Sequence, residues 1–171
     1  MNRLFTIFLI LLLSANCFAQ GHFVVAWTDN GYNQMNIKVV TAAIGVDALA
    51  AGDEIAAFDG SVCCGKVTLT QPIVIFNNLS FVDIITSESF LTPANGFTPG
   101  NTITYKFWDS SLGKEVTGIT PEYLNPITGL PITAPVYTSN GSAVVKLTAP
   151  ANIPPVANAG IDQSVNELSM V

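Results

Sequence analysis

The sequence predicts an all-β chain, folded as a two-layer antiparallel β-sandwich of immunoglobulin-like or jelly-roll-like kind behind a cleaved N-terminal signal helix. Three observations lead there. Short runs rich in Val, Ile, Thr, Phe and Tyr recur between turn signals, and several of them alternate apolar with polar residues. Beyond the leader, no window of ten or more residues holds apolar positions at helical spacing. Strands that each bury one face need a second layer to cover it, which favours a sandwich over a single open sheet.

The chain has 171 residues, of which 49% are apolar and 11% charged, enough for one ordinary domain with a core and too apolar for disorder. Twelve acidic residues face 6 basic ones, giving a net charge of -6. No basic surface is available to neutralise phosphates, so nucleic acid is excluded as a partner.

The first nineteen residues place Arg3 ahead of an apolar run from Leu4 to Leu13, then small and polar residues ending at Ala19. That is the pattern of a secretory signal peptide cleaved after Ala19. The run falls short of the roughly 20 apolar residues a membrane-spanning helix needs, so the mature chain is expected to have no transmembrane span and to be secreted or displayed at the cell surface. Cys17 raises a lipoprotein signal as the competing reading, but Asn16 stands where such a signal wants a small residue.

Candidate strands then follow in order: Phe23 to Trp27, Met35 to Ile44, Glu54 to Phe58, Val62 to Leu69, Ile73 to Phe76, Phe81 to Thr86, Thr102 to Trp108 and Ala143 to Leu147. Asn30-Gly31, Asp59-Gly60, Asn95-Gly96 and Asn140-Gly141 punctuate them, because Asn, Asp and Gly tolerate positive φ cheaply. Asp59-Gly60 between two apolar runs is the clearest hairpin signal. Alternation puts Ile103, Tyr105 and Phe107 on a buried side opposite Lys106 and Trp108, and Ala143, Val145 and Leu147 opposite Val144 and Lys146. Gly118 to Pro135 holds four prolines and is expected to be a long loop or an irregular edge. In a regular strand Cys63 shares a side with Val67 and Leu69 and is expected as a buried hydrophobe. Cys64 falls on the other side with Lys66 and Thr68, where an exposed thiol could bridge two chains.

From Ala149 the text becomes proline-rich, with Pro150, Pro154 and Pro155, which marks a domain boundary. The expected organisation is a leader over 1–19, a sandwich module over 20–148, a connector over 149–155 and, over 156–171, a β pattern too short to bury a core of its own.

The strings GDEIAAFDGSVCCGKVTL at Gly52 to Leu69, NGFTPGNTITYKFWDSS at Asn95 to Ser111 and GSAVVKL at Gly141 to Leu147 resemble a β-sandwich module of large secreted and surface proteins of Gram-negative bacteria. Their order is preserved over roughly Phe23 to Thr148. Cys64 departs from the module, where one cysteine followed by an aliphatic residue is the familiar form. The tail, PPVANAGIDQSVNE at Pro154 to Glu167, resembles the opening strand of a PKD-type immunoglobulin-like domain. Together the resemblances imply a longer, multi-module extracellular protein with further immunoglobulin-like domains downstream. Such modules accompany carbohydrate-active or peptidase domains, or form part of adhesins, and they hand no catalytic residue to this chain.

The residues themselves point away from chemistry. His22 has no serine, cysteine or carboxylate spaced to use it as a base, and neither a Gly-x-Ser-x-Gly string nor a Ser-x-x-Lys pair is present. Glu54 and Asp59 fall on opposite faces of one strand, so they do not make a glycosidase pair. Asp29 with Asn30, or Asp53 with Glu54, are where calcium would be sought, but neither has the spaced oxygen ligands of a calcium loop, so no metal and no cofactor are expected. The candidates for recognition are Trp108, Tyr32 and Trp27, since an exposed ring can stack on a sugar or receive a peptide side chain. Trp108 is nominated because it lies on the polar side of its strand, whereas Trp27 shares a face with Phe23 and Val25 and leans toward the core. The expected function is non-catalytic: binding, adhesion or spacing, with an extracellular glycan or protein as ligand. The alternative is a carbohydrate-binding accessory module of a secreted polysaccharide-degrading enzyme.

Overall fold

The structure, a computed structural model, describes residues 21–73 and 80–151. The expected leader and the PKD-like tail beyond residue 151 lie outside the described residues, as does 74–76 of the expected Ile73 to Phe76 strand; Ile73 itself is not in a strand. Nine strands are present: β1 (Asn36–Ile44), β2 (Asp47–Ala48), β3 (Glu54–Asp59), β4 (Val62–Thr68), β5 (Val82–Ile85), β6 (Thr104–Asp109), β7 (Lys114–Val116), β8 (Thr120–Leu124) and β9 (Ser142–Ala149). They make two sheets. The first, sheet A, runs β2-β1-β9-β8 with β5 also paired to β1, and the second, sheet B, runs β4-β3-β6-β7. Among the described residues there is no helix. The all-β sandwich read from the alternation is therefore what forms, antiparallel throughout its ladders except that β1 and β9 lie parallel, Ile37 beside Ala143 and Ala42 beside Leu147.

The alternating faces meet in the middle. Ile37, Val39, Ala42, Ala143, Val145 and Leu147 of sheet A face Ile55, Ala57, Tyr105 and Phe107 of sheet B in one apolar cluster. Fully burying each large member contributes about 1.5–3 kcal/mol relative to leaving it in water. Tyr105 and Tyr123 cross this interior from opposite sheets and bond hydroxyl to hydroxyl at 2.9 Å, which satisfies two polar atoms that burial would otherwise penalise. Burial in turn pushes the pKa of both phenols up, so that they stay protonated.

Two irregularities tune the alternation. The ladder between β1 and β9 shifts between Val39 and Thr41, so that Ala42 regains the inward side after Ile37 and Val39. In the β3–β4 hairpin, which forms where expected but turns on Gly60-Ser61 with Asp59 ending β3, Ala57 pairs with Gly65 but Phe58 pairs with Cys63. Cys64 is the extra residue, and the bulge turns it into the main core while Cys63 faces outward beneath Phe23. This corrects the even alternation expected for the pair: Cys64 is 0% exposed and unavailable as an intermolecular bridge.

The two sheets join at one corner. β5 pairs with β1, yet Thr86 just beyond it bridges to Gly65 of β4. A Cβ on Gly65 would fall 2.5 Å from the Ile85 carbonyl oxygen, so this close approach demands glycine.

The expected strand over Phe23 to Trp27 is not formed. Phe23 is buried and Val25 half-buried, as the alternation suggested, but the segment makes one ladder-like bond to sheet B, Ala26 N–H to the Cys63 carbonyl at 2.9 Å, and lies across the outer face as a strap. Its start is fixed by Glu54, a carboxylate only 2% exposed. The backbone N–H groups of His22 and Phe23 donate to its two oxygens at 3.0 and 2.9 Å, Thr68 donates its hydroxyl, and Lys66 pairs with it at 3.3 Å. A Cβ on Gly21 would land on the Glu54 carboxylate and the Lys66 ammonium, so the strap enters through a glycine. Within the stretch expected as loop or irregular edge, Thr120–Leu124 forms the edge strand of sheet A, where Pro121 is tolerated.

Two outcomes follow for the thiols. Desolvation raises both, Cys64 to about 12, so neither supplies thiolate at neutral pH, and native protein should react with a disulfide reagent only after unfolding. Because the folded values stand above the ordinary 9.0, stability is full below that pH and declines as pH climbs past it toward 12. Glu54→Ala strands Lys66 and two backbone N–H groups, which should cost about 3 kcal/mol in denaturant unfolding and expose Cys63 to the reagent before Cys64.

Candidate functional site

The three nominated aromatics do not converge. Trp108 lies on the outer face of sheet B, opposite Glu54 in the β3–β6 register. It is half-buried rather than free, because the strap places the His22 ring over it at 3.7 Å and 5° from parallel. His22 Nε2 bonds Glu115 Oε1 at 2.8 Å, and the other Glu115 oxygen accepts from Lys106 at 3.0 Å. The His22 bond and then Lys106 hold the Glu115 carboxyl below its ordinary value. His22, for which the sequence offered no catalytic partner, is thus exposed but engaged, packed between rings and a carboxylate.

Trp27 and Tyr32 do come together, at the corner where the sheets join. The Cys64 carbonyl accepts both from the Trp27 indole N–H at 2.7 Å and from the Ser87 backbone N–H at 3.1 Å. Ser87 Oγ in turn accepts from the Tyr32 backbone N–H at 2.9 Å, and the Tyr32 carbonyl accepts from Glu88 N–H at 2.8 Å. The Gly31 backbone sits between the two rings' supports: a Cβ there would meet Ser87 at 3.2 Å and the Trp27 ring at 3.5 Å. Trp27 is half-buried by these contacts, while Tyr32 keeps 49% of its surface in water.

A third ring, missed in the sequence, completes the patch. Phe90 is 56% exposed and meets Tyr32 edge to face, with ring centroids 5.7 Å apart and planes at 62°. Leu91 beside it is equally exposed. Their loop is held from below by Asn95, a buried side chain whose Oδ1 accepts from the Phe90 N–H at 3.1 Å and from the Ser89 hydroxyl at 3.3 Å. Gly96 then packs so closely on the Ser87 and Glu88 backbone that a Cβ would overlap it. The Asn95-Gly96 pair read as a turn thus anchors a loop that presents apolar side chains outward. Polar groups flank the rings: Glu88 accepts from Asn33 Nδ2 at 3.0 Å and from the Ser139 hydroxyl, and the Tyr137 hydroxyl donates to the Asn33 carbonyl at 2.9 Å.

A groove of about 540 Å³ crosses the outer face of sheet A above Val40 and Val144, between Phe81 and the loop at Ile127. Its two lysines are already engaged, Lys38 with Asp83 at 2.9 Å and across the Phe81 ring at 4.2 Å, Lys146 with Glu122 at 3.4 Å.

Three of the four carboxylates weighed for chemistry or metal, Asp53, Glu54 and Asp59, have structural work. Asp59 accepts from the Thr98 N–H at 2.8 Å and from Asn101 Nδ2 at 3.0 Å, Glu54 pins the strap, and Asp53 accepts from Ala50 and Ser110 N–H groups and the Ser110 hydroxyl between 2.8 and 2.9 Å. Among the described residues, no three His, Cys, Asp or Glu side chains gather as metal ligands. What the Tyr32–Phe90 edge can do chemically is recognise: it offers rigidly held apolar surface rimmed by hydrogen-bonding groups.

No family model, no curated protein and no solved structure matches this chain.

Proposed function

We propose that the chain is a non-catalytic extracellular binding module of a larger secreted or cell-surface protein, and that it meets its ligand with the edge formed by Tyr32, Phe90 and Leu91, backed by Trp27. The observation that supports this best is the exposed pair of rings on two loops that are themselves fastened by buried groups, Asn95 under one and Ser87 under the other. Loops fixed this way lose little conformational entropy on binding. The signal-peptide pattern expected over 1–19 and the resemblance of the tail to a PKD-type domain support an extracellular setting, in which adhesion is the expected task.

The angle between the rings favours one ligand class. Two rings at 62° make a notch rather than a flat platform, which suits the side chains of an extracellular protein better than the flat face of a pyranose. The accessory carbohydrate-binding reading draws its support from the open face of Tyr32 beside Glu88 and Asn33, a ring next to hydrogen-bond groups.

A direct test displays the protein to a glycan array and to immobilised extracellular matrix proteins, with Trp27 emission as the solution readout. A protein ligand bound by wild type and weakened about thirtyfold by Tyr32→Ala or Phe90→Ala is the expected result, as for loss of a central aromatic anchor. Binding to glycans with the same dependence selects the carbohydrate reading. Silence toward every ligand, or binding untouched by both substitutions, contradicts recognition at this edge and leaves a spacer.

A further inference from the structure

We propose that Asn30 is a deamidation site, singled out by the fold from the three Asn-Gly pairs among the described residues, and that its conversion adds a carboxylate to the Tyr32 edge. The reaction needs no enzyme. The Gly31 backbone nitrogen attacks Asn30 Cγ and forms a C–N bond, the Cγ–Nδ2 bond breaks, and the Gly31 N–H proton is relayed through water to the departing nitrogen, which leaves as ammonia. Water then opens the five-membered succinimide at either carbonyl, giving aspartate or isoaspartate. Glycine at the following position favours the attack because no Cβ crowds the nitrogen.

The three pairs differ in how far the fold lets the two atoms meet. At Asn140-Gly141 the attacking nitrogen is occupied: Gly141 N–H donates to the Thr138 carbonyl at 2.9 Å, and the Asn140 N–H is held by the Asn33 carbonyl at 3.2 Å. At Asn95-Gly96 the side chain is buried and its Oδ1 accepts from the Phe90 N–H and the Ser89 hydroxyl, while Gly96 is wedged on the Ser87 and Glu88 backbone. Asn30 is exposed, and among the described residues neither its side chain nor the Gly31 N–H makes a hydrogen bond. One hydrogen bond touches the pair, Gln34 Nε2 donating to the Asn30 backbone carbonyl, whose oxygen neither forms nor breaks a bond in ring closure; Gly31 itself lies against Ser87 and the Trp27 ring. A nucleophile and an electrophile one residue apart react at high effective molarity when they are free to align, and small misplacements are costly.

The product would stand next to Asp29 and two residues from Tyr32, so the edge gains negative charge where an exposed ring presents itself. That consequence rests on the recognition reading above; the modification itself does not.

The test incubates the purified full chain at neutral to mildly alkaline pH, folded and in denaturant, and follows each Asn-Gly peptide by mass and by isoaspartyl methyltransferase labelling. Asn30 should convert in folded protein at close to its rate in denaturant, and Asn95 and Asn140 on the order of a hundredfold slower in the fold than unfolded. Asn30→Gln should abolish the folded-state signal. Conversion of Asn95 or Asn140 alongside Asn30 in folded protein, or an Asn30 that reacts only in denaturant, overturns the proposal. A ligand assay on the aged protein is separate: unchanged binding there speaks against the edge, not against the modification.

Discussion

The contact between the two inner sheet faces sets the position of everything else. Ile37, Val39, Val145 and Leu147 on one side and Ile55, Ala57, Tyr105 and Phe107 on the other can all leave water only if the sheets stack, since neither sheet has a second layer on that side. Stacking fixes the corner at Gly65 and Thr86. The corner fixes the Cys64 carbonyl, and that one oxygen holds both Trp27 and Ser87. Through Ser87 the arrangement reaches Tyr32. The exposed edge is therefore positioned by the core and not by the flexibility of its loops.

A second, smaller dependence sits on the outside of sheet B. Ala56, Phe58 and Cys63 point away from the sandwich and would lie in water without the strap, whose Phe23 and Val25 cover them. An apolar cover by itself slides; the buried Glu54 carboxylate gives it a register by binding two consecutive backbone N–H groups. The pairing with Lys66 offsets the desolvation that a lone carboxylate would suffer there. Covering this face also takes Trp108 out of play, because the strap that seals Phe58 lays His22 on the indole.

What the sequence made legible was whatever repeats every second residue. The faces of β6 and β9 and the Asp59-Gly60 hairpin needed no more than alternation and turn chemistry. Phe23 to Trp27 alternates too, and so was read as a strand; its side chains behave as read, but alternation says nothing about whether the backbone finds a ladder. Lys114–Val116 is too short and too polar to announce a strand, and Thr120–Leu124 is hidden by Pro121, which an edge position accommodates. The bulge that sends Cys64 inward breaks the very period by which its face was judged. For the site, Tyr32 is nominated as an aromatic ring, with no positional signal for its exposure. Its meeting with Phe90, and the covering of Trp108 by His22, join residues far apart in the chain, and no local pattern encodes them. The signal that pointed to Phe90 was there in the apolar Phe90-Leu91 pair set before Pro93, outside any strand pattern.

Residue-resolved amide hydrogen exchange on the folded protein tests the mutual dependence of the sheets most directly. If the two inner faces hold one another, the central amides of β1 and β9 and those of β3 and β6 exchange through the same opening, with one common free energy equal to global unfolding and the same denaturant dependence. Amides of one sheet exchanging through a cheaper opening that leaves the other sheet protected would mean that the layers stand independently, and the edge would then lose the scaffold from which its geometry is derived.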